Sequence, residues 1–191
     1  SLRLRLKRIS DRGFQFVILI DFSLNFSTIT GEDFFDILVK YVHLKYLAVG
    51  SNFRCGYRLD TGIKEISVYS KRKCFGFDSI DQIVASGARV SSSAIRLAIQ
   101  VADFSLARTF LGYPFLLDIS TQQWIQYDTF FETSIESILQ ILPPKGSYKV
   151  ILHLDTESTI SCFLEVLDKT IRIVFKNGEI VNGNLDTLEF C

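Results

Sequence analysis

Two periodicities share this chain. In the first part, short continuous apolar runs alternate with segments of helical spacing. Residues 16–20 form a β-rich run, residues 32–41 place Phe34, Phe35, Leu38 and Val39 at helical intervals, and residues 46–49 are again a buried-strand run. Gly31 precedes the predicted helix, and Glu32 and Asp33 suit its first turn, where carboxylates meet the positive end of the helix dipole. Residues 65–69 read as a further strand or as the remnant of a helix, and residues 78–86, with Ile80, Ile83 and Val84, read as a strand leading to a Gly87-Ala88 turn. Strand, helix, strand in succession predicts a parallel sheet with right-handed crossovers, whose ligands bind at the C-terminal ends of strands.

Near residue 118 the pattern shifts to a period of two. From Trp124 and Tyr127 onward, residues 148–153, 161–166, 170–175 and 185–190 alternate as antiparallel strands do. Turns are predicted at Pro143-Pro144-Lys145-Gly146, Lys176-Asn177-Gly178 and Asn182-Gly183-Asn184; Asn-Gly is a strong hairpin signal. The chain is thus expected to be α/β, with a parallel-sheet, Rossmann-like part over residues 1–118 and a small antiparallel β-barrel-like part over residues 119–191. No repeat or low-complexity tract is visible.

Composition narrows the function. Across 191 residues, 21 Lys and Arg balance 21 Asp and Glu, so no net charge argues for nucleic acid or an anionic membrane, and any phosphate site must be local. Cys55, Cys74, Cys162 and Cys191 form no C-x-x-C pair, which speaks against zinc and against a disulfide framework. No run reaches the roughly 18 apolar residues of a membrane span. A cytoplasmic protein is expected.

Two segments carry candidate chemistry. Arg89-Val90-Ser91-Ser92-Ser93-Ala94-Ile95-Arg96 sets three hydroxyls at a predicted helix start with a guanidinium one turn later, a set suited to phosphate. Simple N-capping by serine stands beside that reading. Upstream, Gly50, Gly56 and Gly62 let backbone approach a ligand, and between them lie Asn52, Phe53, Arg54 and Arg58, which suit a flat heteroaromatic group that also carries phosphate. A plain glycine turn after a strand is the alternative. Both segments follow predicted strands, so one crevice would serve both. His43 is read as structural or solvated, Lys71-Arg72-Lys73 as a solvated loop and Asp103 as a helix cap.

These residues resemble those of the bacterial FAD synthases, bifunctional riboflavin kinase/FMN adenylyltransferases. GSNFRCGYRLDTG is similar to that family's G-x-[DN]-F-R-F-G-x-x-x-x-G loop, with Cys55 where the family usually has phenylalanine. GARVSSSAIRLAIQVADFSLARTFLGYPFLL is similar to its G-x-R-V-S-S-[ST]-x-I-R stretch and helix pair. The lead-in agrees, with Ile20-Asp21-Phe22, Phe26 and residues 32–35. The likeness covers about residues 1–118. It implies transfer of AMP from ATP to FMN, giving FAD and pyrophosphate with Mg2+ assisting. On that reading Ser91, Ser92 and Ser93 bind ATP phosphates, with Ser92 and Arg96 counted as catalytic. Gly50, Asn52, Phe53, Arg54, Gly56 and Arg58 bind the flavin, Arg54 and Arg58 alternatively pinning the loop through a carboxylate such as Asp60.

Two features depart from the family. Its H-x-G-H motif for ATP phosphates has no counterpart here, His43 and His153 being the only histidines, and the absence of methionine favours its lying upstream of Ser1. The kinase motif P-T-x-N is missing after Leu117, although residues 141–150 resemble the kinase barrel's entry strand. The tail is expected to be a shortened kinase barrel that does not phosphorylate riboflavin. Small-molecule ligands (FMN, ATP, FAD) are the expected partners, with no nucleic acid, no membrane and room for a protein partner on the tail. The alternatives are a catalytically impaired flavin- or nucleotide-binding homologue and an interaction module carried by the tail.

Overall fold

The computed structural model describes residues 1–176 and 181–191, so the expected Asn177-Gly178 hairpin turn lies outside the described residues. In chain order the helices are α1 (Leu2–Ser10), the single turn α2 (Leu24–Ser27), α3 (Gly31–Tyr41), α4 (Ile63–Lys73), α5 (Ser92–Gln100) and α6 (Phe104–Leu111). The strands are β1 (Tyr46–Gly50), β2 (Arg54–Cys55), β3 (Thr61–Gly62), β4 (Gly76–Ile80), β5 (Val84–Ala85), β6 (Ala88–Arg89), β7 (Leu116–Asp118), β8 (Ile125–Gln126), β9 (Phe130–Ser134), β10 (Gly146–Leu154), β11 (Thr159–Val166), β12 (Thr170–Val174) and β13 (Leu185–Phe190). They pack as two units, one of Phe16–Ile83 and one of Ser1–Gln15 with Val84–Cys191.

In the unit Phe16–Ile83, β1 pairs with β4 in parallel, from Tyr46 opposite Gly76 to Gly50 opposite Ile80. Helix α3 begins because Thr30 caps it, its Oγ1 accepting from Asp33 N at 3.1 Å, and it buries Phe35 at the spacing read from the sequence. Residues 65–69, ambiguous in sequence, belong to helix α4. There Glu65 accepts from Gly62 N at 2.9 Å, and Lys71, Arg72 and Lys73 occupy the last turn, where cations complement the dipole. That basic run is therefore helix, not the expected loop, and Arg72 and Lys73 pair with Glu32 and Asp36 of α3. Phe35, Ile66, Tyr69 and Phe75 form the core.

Residues 16–20 form no regular structure, contrary to the strand expected there, and Phe16 is 90% exposed. β-propensity needs a hydrogen-bonding partner to become a strand, and among the described strands β1 and β4 pair only with each other. The strand expected over 78–86 is also broken. β4 ends where its partner β1 ends, and β5 and β6 form a small hairpin across Ser86 and Gly87, both at positive φ (49° and 73°).

The second unit is built on a seven-stranded antiparallel sheet, ordered β7-β13-β10-β11-β12-β9-β8. Alternation decides its faces. Val150, Leu152, Leu164, Ile171, Ile173 and Leu188 are fully buried, and Ala98, Ile99 and Ala107 of the helix pair join the same core. Asp103 caps α6 as expected, its Oδ1 accepting from Leu106 N at 2.9 Å. The architecture is thus a small parallel α/β sheet followed by a barrel-like antiparallel sheet. Packing does not follow residue 118/119: Leu117 of β7 lies opposite Leu188 of β13 in one core. No described helix is long and apolar enough to cross a membrane.

Helix α1 is held to this sheet by charge. Arg3 donates to Asp118 through Nε (3.1 Å) and Nη2 (2.8 Å) and to Asp186 through Nη1 (2.7 Å); Ser1 and Ser120 also donate to Asp118. Burial pushes the Asp118 carboxyl up, but the hydrogen bonds from Arg3, Ser1 and Ser120 outweigh it and hold it well below the usual carboxylate range. A carboxyl whose native pKa is depressed stabilises the fold fully above its unfolded value, about pH 4, and loses that contribution as pH falls toward its native pKa. Arg3→Ala is expected to lower stability by about 1.5–3 kcal/mol at pH 7, the range for hydrogen bonds to charged groups. Urea unfolding measures this, and the gap between mutant and wild type should narrow as pH falls from about 4 to about 2; an equal loss at both would contradict the assignment.

Candidate functional site

The chain leaves β1 at Gly50 and turns at once, with Phe53 N donating to the Gly50 carbonyl at 2.8 Å and Ser51 N to the Ile80 carbonyl at 2.8 Å. Phe53 packs its ring against the core of this unit while Asn52 stays exposed. β2 and β3 then close a narrow hairpin, Arg54 opposite Gly62 and Cys55 opposite Thr61. Its turn is unusual. Arg58 and Leu59 are both left-handed, at φ 55° and 58°, a conformation that costs a non-glycine residue roughly 1–2 kcal/mol.

This hairpin is fastened to the start of α3. Tyr57 N donates to the Ile29 carbonyl at 2.8 Å, and Asp60 Oδ1 accepts from Gly31 N at 3.1 Å and from Thr61 Oγ1 at 2.8 Å. The backbones come so close that Gly56, at φ 79°, has no room for a side chain: a β-carbon there would lie 2.1 Å from Asp60 Oδ1 and 2.2 Å from Gly31 N. Arg54 does not reach a carboxylate. Its Nε donates instead to the Leu59 carbonyl at 3.0 Å. The thiol of Cys55 is half-buried and burial raises its pKa, so it is a poor nucleophile.

The serine segment lies in the other unit. Ser91 is the N-cap of α5, its Oγ accepting from Ala94 N at 3.1 Å, so the capping reading holds for that residue. Ser92 and Ser93 are exposed in the first turn, where backbone N–H groups lack intrahelical partners. Arg96 is exposed one turn later and makes no ion pair among the described residues. Sequence reasoning located the loop and the helix start but missed the tie between Asp60 and Gly31. That bond spans 29 positions, and no local pattern announces it. A groove of about 350 Å³ between α3 and α4, lined among others by Glu32, Phe35, Val68 and Arg72, reaches the hairpin at Thr61 and Glu65. Among the described residues, no three His, Cys, Asp or Glu side chains cluster to hold a metal.

Known proteins share these segments. Residues 1–94 match the FAD synthetase family. The bifunctional riboflavin kinase/FMN adenylyltransferase of Escherichia coli is 28% identical over 153 residues, covering 78% of this chain and 49% of that protein. The chain resembles the bacterial FAD synthases. The enzyme of the same description from Haemophilus influenzae is 25% identical, covering 92% of this chain and 61% of its own length. The chain spans about half the length of the first of these relatives. A solved structure described as a macrolide-efflux protein from Streptococcus pneumoniae superposes with a TM-score of 0.82 over 100% of this chain and 65% of that one; at 15% identity the likeness is one of fold. The FAD synthetase match contains the whole glycine loop and the three serines and ends two residues before Arg96.

In this FAD synthetase-like segment Gly56 is the most constrained position. Gly56→Ala would force a left-handed alanine against the backbone of α3. Thermal unfolding should show a loss of at least about 2 kcal/mol, combining backbone strain with the displacement of the Asp60 contact. A loss below about 0.5 kcal/mol would show that the hairpin does not sit against Gly31.

Proposed function

We propose that this chain takes part in FAD formation as an FMN adenylyltransferase, residues 1–118 being the adenylyltransferase-like part and residues 119–191 a shortened kinase-like barrel that leaves a surface for a protein partner. The observation that carries the reading is the preformed hairpin at the C-terminal end of a parallel strand, inside the FAD synthetase match. A phosphate oxygen of FMN attacks the α-phosphorus of ATP, the bond to the β-phosphate oxygen breaks, and pyrophosphate leaves. Phosphate chemistry of this kind asks a protein for position and charge stabilisation more than for covalent participation.

The residues divide these tasks. Gly50 and Gly56 let the loop backbone approach the flavin, Asn52 offers an exposed amide, and Arg54 and Arg58 offer guanidinium groups to the FMN phosphate. Phe53 serves by packing, since its ring belongs to the core. Ser92 and Ser93, with the first-turn N–H groups of α5, hold ATP phosphates, Ser91 shaping that turn as its cap. Arg96 offsets charge on the leaving pyrophosphate. Mg2+ belongs to the proposal only as the counter-ion of ATP's phosphates, for the described residues offer it no cage. A protein built this way is at home in the cytoplasm, where its substrates are.

Incubation with FMN, ATP and magnesium should give FAD by chromatography, and riboflavin with ATP should give no FMN, because the P-T-x-N motif for MgATP is missing from the tail. Arg96→Ala should slow FAD formation about 100- to 1,000-fold with a stability change of about 0.5 kcal/mol or less. Full turnover by that mutant would reduce the serine segment to a capped helix. FMN binding without FAD formation would favour a flavin-binding homologue.

A further inference from the structure

We infer that Asp60 is a positioning residue, which sets the direction of Arg54 toward the flavin phosphate; the inference rests on the flavin role proposed for this loop. Arg54 has one hydrogen bond among the described residues, from Nε to the Leu59 carbonyl at 3.0 Å. Its two η nitrogens, the pair suited to grip a phosphate, make no hydrogen bond or ion pair among the described residues, their neighbouring charge being the Glu65 carboxylate of α4, with which Nη1 flanks Gly62. The Leu59 carbonyl reaches Arg54 because Leu59 is left-handed, as is Arg58 before it. Two consecutive non-glycine residues do not hold that conformation unaided, and surrounding contacts must over-determine it.

Those contacts are identifiable. On one side of the turn, Tyr57 N donates to the Ile29 carbonyl at 2.8 Å. On the other, the Asp60 carboxylate takes the N–H of Gly31, the first residue of α3. That donor has no partner within its own helix, and a carboxylate is favoured there by the helix dipole. Asp60 is therefore the one side chain of residues 57–60 that anchors the turn, and the hydroxyl of Thr61 fixes its rotamer at 2.8 Å. Without it only the backbone bonds from Leu59 N to the Gly56 carbonyl (3.0 Å) and from Asp60 N to the Tyr57 carbonyl (3.3 Å) oppose relaxation of the turn, and a shift of Leu59 toward negative φ swings its carbonyl away from Arg54. Asp60 would not touch the flavin; it acts through Leu59 and Arg54.

The test uses Asp60→Ala and Asp60→Asn in the full chain, with Kd values for FMN and riboflavin measured by flavin fluorescence. Asp60→Ala should weaken FMN about tenfold and leave riboflavin, which has no phosphate, within about twofold. Asp60→Asn keeps an oxygen for the Gly31 N–H and should recover most of the loss. Equal weakening of both ligands, or none, overturns the inference, because a merely structural role does not discriminate by phosphate. Hydrogen exchange of Gly31 and residues 54–61 in the same samples gives an independent readout: exchange should accelerate in Asp60→Ala, and unaltered exchange overturns the clamp by itself. A wild-type chain that binds no FMN removes the adenylyltransferase reading, and the phosphate role of Arg54 with it.

Discussion

Two parallel strands cannot be joined by a tight turn, and this constraint shapes everything proposed for the flavin. Once β1 and β4 pair in parallel, the chain leaving Gly50 has to cross back to Gly76 at the other end of the sheet. Helix α4 makes most of that return. What remains between Gly50 and Ile63 is a segment at the C-terminal end of a strand, required by topology but free in its detail. The hairpin with its glycines fills that segment, and its tie to α3 turns a connection into a fixed shape. Because the pull comes from Gly31, the residue that opens α3, the helix that covers the sheet also holds the loop in place.

In the other unit, the core fixes which side of α5 faces solvent. Ile95, Ala98 and Ile99 turn toward the apolar interior shared with β10, β11, β12 and β13. At 3.6 residues per turn, that choice leaves Ser92 and Arg96 on a common exposed stripe, one turn apart. The alignment of hydroxyl and guanidinium is thus a consequence of packing. On the outer face of the sheet, Glu132 and Glu165 flank Arg172 across strands, and His153 lies 3.2 Å from Glu189. Three carboxylates against one guanidinium leave that group little attraction for an anionic ligand.

Helix α3, the start of α5 and strands β1, β10, β11, β12 and β13 were legible because their signals are local, in apolar runs and spacing, capping residues and alternation, whereas α6 was expected only from the family's helix pair. Residues 16–20 were not, since strand propensity says nothing about whether a partner edge exists. The turn expected at Gly87-Ala88 falls one residue earlier, at Ser86-Gly87, since serine rarely marks a left-handed position. The run before it, read as one strand, concealed that β5 and β6 pair as a hairpin. In the candidate site the glycines gave the loop away, because only glycine fits where Gly56 meets Gly31. Asp60 carried no such mark. Sequence suggested it as a partner for Arg54 or Arg58, and the fold gives it to a backbone amide instead.

Absence of a salt bridge does not single out the candidate arginines. Arg89 and Lys64, like Arg54, Arg58 and Arg96, make no ion pair among the described residues. Exposed pairs contribute only about 0–1 kcal/mol, so leaving a surface cation unpaired costs a protein almost nothing. What separates Arg54 is orientation. A backbone carbonyl holds its Nε while its other nitrogens stay open, which removes much of the rotamer entropy that a free surface arginine loses on gripping a phosphate. Arg96 gains the same advantage more weakly, from its place on a helix whose opposite face is buried. In a chain of zero net charge, where no long-range field gathers phosphates, such preorganisation is what would set Arg54 and Arg96 apart from the other surface cations under the proposed function.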